Sequence, residues 1–244
     1  MKAYLLAAGP GTRLRPLTDR VPKCLVPVGG EPVLGRWLRA CRLAGVDEVL
    51  VNTHHLPEAV RAFTDGPGRA HGVSVRLHHE ERLLGSAGTV RATRDFVRDE
   101  ESFFIIYADN VSDIDLARMR DWHARHDDLL TVGLFRAPHP KDCGVAVLDG
   151  QGRIVEFEEK PLRPASPWAS AGIFVARRPL LGRLDEIAAE RGGEAGALDF
   201  GYHVLPRLVA RGEARGYRIE EFLLDVGTPE GYVEACRHVS QGRA

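Results

Sequence analysis

Apolar residues recur along this chain in short runs that alternate with longer stretches of helical spacing. Ala3 to Ala7 is a continuous apolar run, and it ends in small residues and two glycines, Gly9 and Gly11. A run this short, bounded by turn residues, predicts a buried strand. Gly29-Gly30-Glu31-Pro32 then predicts the opening of a helix with proline in its first turn, continuing to Ala44 and stopped by Gly45. Strands follow at Val46 to Asn52 and Val73 to His78, with a helix at Leu56 to Thr64 between them. A helix starts at Gly85-Ser86-Ala87-Gly88-Thr89. Ser102 to Tyr107 is an apolar strand ending at Ala108-Asp109-Asn110. A helix over Asp115 to His126 and a strand over Leu129 to Arg136 complete the first half. This alternation predicts an α/β fold, a three-layer Rossmann-like, mostly parallel sheet.

The rhythm changes after residue 136. Cys143 to Leu148 and Ile154 to Glu159 flank Asp149-Gly150-Gln151-Gly152 and predict a hairpin. Ala169 to Ala176 is a further strand. Helices are expected at Pro179 to Ala189, Leu198 to Ala210 and Pro229 to Val239, with one or two short strands in Arg215 to Leu224. We therefore expect one domain over residues 1–244. Residues 1–136 form its larger, alternating half, and 137–244 a smaller α+β lobe with a closing helix. No repeat and no low-complexity segment interrupts it.

Composition narrows the class. The chain has 244 residues, 44% hydrophobic and 27% charged, enough for a full core. Its net charge of −1 offers no field for nucleic acid or an anionic membrane. The opening apolar run is too short for a signal peptide or a membrane span. Cys24, Cys41, Cys143 and Cys236 lie far apart without a C-x-x-C, which suits a reducing cytoplasm. Of 33 basic residues only Lys2, Lys23, Lys141 and Lys160 are lysine. Where arginine is so dominant, a retained lysine points to a compact ammonium that a guanidinium does not imitate.

Phosphate chemistry is concentrated in the first loop. Gly9-Pro10-Gly11-Thr12-Arg13-Leu14 has leucine where the dinucleotide fingerprint needs its third glycine, and Gly-Lys-Ser/Thr of the Walker motif is absent. Pro16 and Pro22 oppose a helix starting at the glycines. A long extended loop draped over a nucleotide is expected, with small residues, free amides and the cations Arg13 and Lys23.

Leu5 to Thr18 followed by Pro22-Lys23-Cys24-Leu25-Val26-Pro27-Val28 resembles the signature of the sugar-1-phosphate nucleotidyltransferases. Further matching motifs come in the family's order: Gly85 to Gly88, the strand end at Asp109, Val155 to Pro161, Ser170 to Phe174, and Leu224 to Glu230. The resemblance implies a reaction of NTP with a sugar 1-phosphate, giving NDP-sugar and pyrophosphate by in-line displacement. It makes Arg13 and Lys23 the catalytic cations on the triphosphate, and Asp109 and Asp225 the ligands of Mg²⁺, which takes few protein ligands. It assigns Leu6, Ala8, Gly9, Gly11, Thr12, Gly85, Ser86 and Gly88 to the nucleotide. Gly144, Glu159, Lys160 and Gly172 go to the sugar phosphate. Asp199 is either a contact to a sugar hydroxyl or a helix cap. Arg15 has no assigned role, and Cys143 stands where relatives often carry tyrosine. The paired histidines His54-His55, His78-His79 and His123 with His126 lack a third ligand at useful spacing and read as surface and strand-end residues.

The Gly85-Ser86-Ala87-Gly88 form resembles that of mannose- and heptose-1-phosphate guanylyltransferases, which favours GTP and a mannose- or heptose-like phosphate. UTP, dTTP or ATP with another hexose- or cyclitol-like phosphate is the alternative. The resemblance leaves the oligomeric state, monomer or homo-oligomer, open. A non-catalytic subunit that binds a nucleotide sugar is the competing class, although Arg13, Lys23, Asp109, Asp225 and Lys160 are all present. A dinucleotide-dependent oxidoreductase is disfavoured by the failed glycine fingerprint.

Overall fold

The computed structural model describes residues 1–193 and 196–242. In chain order the elements are β1 (Lys2–Leu6), β2 (Pro27–Val28), β3 (Glu31–Pro32), α1 (Val33–Leu43), β4 (Glu48–Thr53), α2 (Pro57–Asp65), β5 (Ser74–His79), α3 (Ser86–Ala92), β6 (Ser102–Tyr107) and β7 (Asn110–Ser112). There follow α4 (Leu116–His123), β8 (Leu130–Arg136), β9 (Gly144–Leu148), β10 (Ile154–Glu159), β11 (Trp168–Arg177), α5 (Leu180–Glu190), α6 (Leu205–Ala210), β12 (Ala214–Arg218), β13 (Leu223–Asp225) and α7 (Pro229–Ser240). Two compact units emerge. The first comprises Met1–Leu83, Ile106–Ala117 and Glu221–Ala244, and the second Leu84–Ile105 and Arg118–Glu220.

In the first unit β1, β4 and β5 run parallel, with Leu6 opposite Asn52 and Asn52 opposite His78. Ala3, Tyr4, Leu5, Val49 and Val51 are buried without residual exposure, so the apolar runs read from sequence are the core strands. The carboxyl ends of the three strands are tied by polar groups. Asn52 Oδ1 accepts from the Ala7 amide at 2.6 Å, and Asn52 Nδ2 donates to Glu80 Oε1 at 2.8 Å. Asn52 and Glu80 are both buried, and each supplies part of what the other needs there. His55 Nε2 lies 2.8 Å from the carbonyl of Thr18 and pins the loop that leaves β1.

Away from that sheet, β7 and β13 form an antiparallel pair in which Asn110 faces Asp225. Trp37 of α1 donates its indole N–H to the Asn110 carbonyl at 2.9 Å. α7 begins behind Thr228, whose hydroxyl accepts from the Gly231 amide at 3.1 Å as its N-cap.

The second unit is built on strands of mixed direction. β9 and β10 form the hairpin expected from Asp149 to Gly152. β11 pairs antiparallel with β8 and β9, and β12 joins β8 in parallel. The β11–β8 register shifts between Ser170 and Phe174, and Gly172, at φ +67°, lies within that irregular stretch.

Three expectations change. Glu31 and Pro32 are not in a helix: they pair with Pro27 and Val28 as a small hairpin, and α1 starts at Val33 with Pro32 at its N-cap. Gly29 and Gly30, at φ +61° and +84°, make the two-residue turn that the hairpin needs. The first loop is not extended. It folds as three single turns at Thr12–Leu14, Leu17–Asp19 and Lys23–Leu25, each closed by an i to i+3 bond from Gly11, Pro16 or Pro22. Proline begins such a turn well, because its φ is preset and its missing N–H is not required there. The helix expected over Leu198 to Ala210 is regular only from Leu205. Asp199 caps a wide turn over Phe200–Val204. Pro206 has no amide to give the Tyr202 carbonyl, so the i to i−4 ladder does not run through.

Candidate active site

Four charged side chains that the sequence scatters over more than 200 positions meet in the first unit. Lys23 follows Pro22 in the third turn of the loop, and its side chain is only 8% exposed. Its ammonium donates to Asp109 Oδ2 at 2.7 Å and to Asp225 Oδ1 at 3.4 Å. Arg13 stands at the other side of Asp225, with NH2 3.5 Å from Oδ2. Asp109, Asp225 and Arg13 keep 41%, 53% and 65% of their side chains exposed. The lysine is thus the buried base of the cluster, and the other three reach outward.

The backbone explains the meeting. Asp109 follows β6, and the Ala108 amide donates to the Leu6 carbonyl at 3.0 Å. The Asp109 carbonyl accepts from the Val226 amide at 3.1 Å. That bond continues the β7–β13 ladder and sets the two aspartates side by side. Ala108 is fully buried in this turn. The Gly227 amide donates to Asp225 Oδ1 at 2.6 Å and fixes that carboxylate. A Cβ on Gly227 would lie 2.5 Å from Lys23 Nζ, 2.7 Å from Asp225 Oδ1 and 2.9 Å from Arg13 NH2. Sequence reading passed over Gly227 as part of a motif. The structure shows that the glycine is required by close approach.

Two carboxylates that both touch one ammonium can also both touch one divalent cation. Their exposed oxygens and the small ligand number suit Mg²⁺, which completes its shell with water and phosphate. Among the described residues no group of three or more His, Cys, Asp or Glu could hold a metal ion.

Within the first loop, Gly11 packs against Lys23. Gly11, at φ +65°, packs so that a Cβ would meet Thr18 Cγ2 at 2.8 Å and Lys23 Cβ at 3.3 Å, and Thr18 donates its hydroxyl to the Gly11 carbonyl at 2.7 Å. Gly9 has open space where a Cβ would stand. Leu6 is half-buried, Ala8 is buried and Thr12 is exposed. Arg15 pairs with Asp19 at 3.1 Å on the surface.

The second unit gathers a different set. Glu159 ends β10, and its Oε2 stands where a Cβ on Gly144 would be 2.4 Å away and one on Gly201 2.3 Å away. Burial, together with the charge of Asp199, raises the Glu159 pKa, against a lowering by Lys160. Lys160 is exposed, at φ +53°, and its amide donates to the Cys143 carbonyl at 3.0 Å. Asp199 proves to be a cap: Oδ1 accepts from the amides of Gly201 at 2.8 Å and Tyr202 at 3.2 Å. Its Oδ2 accepts from the Ser86 hydroxyl at 2.9 Å. Gly85, at φ +82°, lies against the Leu198 backbone, and the Ala87 and Gly88 amides both donate to the Leu198 carbonyl at 2.9 Å.

The histidines divide. His54 and His55 sit at strand ends as expected, bonded to the carbonyls of Glu80 and Thr18. His123 does not lie on the surface: it is 2% exposed, and its Nδ1 lies 2.7 Å from the Thr131 hydroxyl. The last turn of α4 turns inward there, which the i, i+3 spacing with His126 did not disclose.

A loop of small residues and cations that leaves the carboxyl end of β1, beside two carboxylates, defines an α/β protein with a site suited to phosphates. The chain belongs to the nucleotidyl transferase family, whose model matches residues 2–242. It is 31% identical over 99% of its length to a mannose-1-phosphate guanylyltransferase of Mycobacterium tuberculosis. It is 29% identical over 100% of its length to the mannose-1-phosphate guanylyltransferase catalytic subunit beta of Danio rerio. It spans 65% and 66% of those two relatives' lengths. A crystal structure from Bacillus anthracis, described as a glucose-1-phosphate thymidylyltransferase in complex with a sucrose, superposes with a TM-score of 0.86 at 25% identity. That likeness covers 97% of this chain and 94% of the other, and it bears out the α/β fold class. No helix among the described residues is long and apolar enough to cross a membrane.

Proposed function

We propose that this chain transfers a nucleotidyl group from an NTP to a sugar 1-phosphate, giving an NDP-sugar and pyrophosphate. The observation that carries the reading is the junction of Lys23 with Asp109 and Asp225, flanked by Arg13. An oxygen of the sugar phosphate forms the new bond to the α-phosphorus, and the bond to the pyrophosphate oxygen breaks. Little covalent work falls to the protein, so charge placement governs the rate. Arg13, being exposed, takes up charge on the phosphate oxygens. Lys23 does so from the buried side. Asp109 and Asp225 would hold Mg²⁺, which supplies neutralisation of phosphate charge when bound.

Leu6, Ala8, Gly9, Gly11, Thr12, Gly85, Ser86 and Gly88 are the proposed nucleotide contacts. Gly144 and Gly172 lie against the sugar, Glu159 accepts from its hydroxyls, and Lys160 binds its phosphate. The whole chain acts as one catalytic domain. GTP and a mannose- or heptose-like phosphate are favoured, because the relatives just described are named mannose-1-phosphate guanylyltransferases. The likeness to the structure described as a thymidylyltransferase supports dTTP with glucose 1-phosphate as the second reading. Four free cysteines suit work in a reducing cytoplasm.

The test is a matrix of NTPs against sugar 1-phosphates with Mg²⁺, read by pyrophosphate release. GTP with mannose 1-phosphate is expected to give the highest kcat/KM. Turnover confined to another pair overturns the substrate choice, and no turnover with any pair overturns the activity. Tight NDP-sugar binding without turnover would favour a regulatory subunit.

A further inference from the structure

Asp199 stands at the centre of a hydrogen-bonded block in the second unit. Its Oδ2 accepts from Ser86, whose Oγ in turn accepts from the Phe200 amide at 2.9 Å. Its Oδ1 accepts from Gly201 and Tyr202. Its own amide donates to His203 Nδ1 at 2.9 Å. One residue earlier, the Leu198 carbonyl takes the amides of Ala87 and Gly88, and the Leu198 amide donates to the Leu84 carbonyl at 2.8 Å. The segment 84–88 and the segment 198–202 are therefore zipped together. Phe200 stacks on Phe174 with ring centroids 5.2 Å apart and anchors the wide turn against β11.

Glu159 is seated on this block. Gly201 leaves the space that the Glu159 carboxylate fills, and Gly144 of β9 leaves it on the other side. Any side chain at either position would evict the carboxylate. Both oxygens of Asp199 already have protein partners, so the residue has little capacity left for a sugar hydroxyl.

We propose that Asp199 is a positioning residue for Glu159: it contacts no substrate, holds Gly201 against the Glu159 carboxylate, and through Ser86 locks the Gly85–Gly88 turn into the same block. The inference rests on the proposed function only in giving Glu159 a sugar to bind. The geometry also makes the two carboxylates electrostatic neighbours. Burial is the largest cause of the raised Glu159 pKa, and the Asp199 charge is the next. Lys160 at the end of its own strand opposes them, and β9 meets Glu159 with glycine. His203, on the wide turn, faces Asp199.

Asp199→Asn keeps the size and an acceptor for the cap and removes the charge. The Glu159 carboxyl is then expected to titrate at lower pH than in the parent protein, read by ¹³C NMR with the resonance assigned through Glu159→Gln. Asp199→Ala removes the cap, and the KM for sugar 1-phosphate is expected to rise about tenfold, since buried amides lose their acceptor. In Asp199→Asn that KM is expected to stay near the parent value at neutral pH. An unchanged Glu159 titration in Asp199→Ala, which loses both the cap and the charge, overturns the proposal. So does a KM defect in Asp199→Asn that vanishes for one deoxy-sugar phosphate, because that would make Asp199 a substrate contact. The NMR titration needs no turnover, so it decides the proposal even if the substrate matrix is silent.

Discussion

The ammonium of Lys23 donates to Asp109 at 2.7 Å from a side chain that is 8% exposed. It therefore holds in place, from beneath, a carboxylate proposed to take a metal ion. A cation at this depth is costly unless it stays paired, and Asp109 and Asp225 supply that pairing. Lys23→Met is expected to lower kcat by about 10²- to 10³-fold, the loss typical of removing one preorganised charge from a transition state. The same variant is expected to bind Mn²⁺ more tightly than the parent in the absence of nucleotide, because the ammonium and the ion draw on the same oxygens. Calorimetric titration checks this, and weaker binding in the variant would contradict it.

Gly227→Ala tests the closeness of the cluster. The backbone at this position has no positive φ, so alanine is conformationally allowed. Its Cβ would nevertheless crowd Lys23, Asp225 and Arg13 together, all inside 3.0 Å. Turnover is expected to fall about 10²-fold through misplacement of charge. The melting temperature is expected to shift by only a few degrees, because Asp225 and Arg13 are half-exposed and can yield. Circular dichroism melts beside steady-state rates separate the two effects.

His123 makes the fold sensitive to acid. Burial, with the charge of Arg177, pushes its pKa down to about 4 from an ordinary value of 6.5, against a raising influence of Asp128. The native state thus resists a proton that the unfolded chain accepts. The stability due to neutral His123 is complete above pH 6.5 and is lost as pH falls from there towards 4. The loss has a ceiling of about 3 kcal/mol. Urea unfolding between pH 7 and 4.5 is expected to show a flatter pH dependence for His123→Phe than for the parent, whatever their absolute stabilities.

Arg215 and Asp128 form a buried ion pair, Nε to Oδ2 at 2.6 Å with side chains 10% and 3% exposed. Arg215 also donates to the Gln151 carbonyl of the β9–β10 turn. Asp128→Ala strands a guanidinium in the interior and is expected to destabilise the chain by about 3–5 kcal/mol. Replacing both partners together by apolar residues is expected to cost much less. If single and double variants unfold at the same urea concentration, the pair is not the source of the loss.

Much of the fold was legible because burial leaves a local imprint. β6 is the apolar run Ser102 to Tyr107 that the pattern indicated, with residues 103–106 fully buried. The β9–β10 hairpin was announced by Asp149 to Gly152. Proline and glycine misled where their signals were ambiguous. Gly29 to Pro32 carries turn and helix-start chemistry together, and the hairpin took it. The wide turn after Asp199 left no trace in the periodicity, because its cause is a side-chain cap followed by a proline. Arg13, Lys23, Asp109 and Asp225, which the family resemblance singled out, stand in one place. The close packing of Gly201 and Gly227 was missed, since nothing local distinguishes them from any other turn glycine.

The amino-acid sequence alone determined the residue types, the alternation of strands and helices, and the presence of cations in a glycine-rich loop. These follow from short-range rules of periodicity and backbone conformation. Only the tertiary structure decided which charges meet. The β7–β13 ladder brings Asp225 to Asp109, and the cap of Asp199 brings Gly201 to Glu159. Electrostatic and hydrogen-bond energies depend on separations of a few ångströms, and separation along a chain carries no record of them.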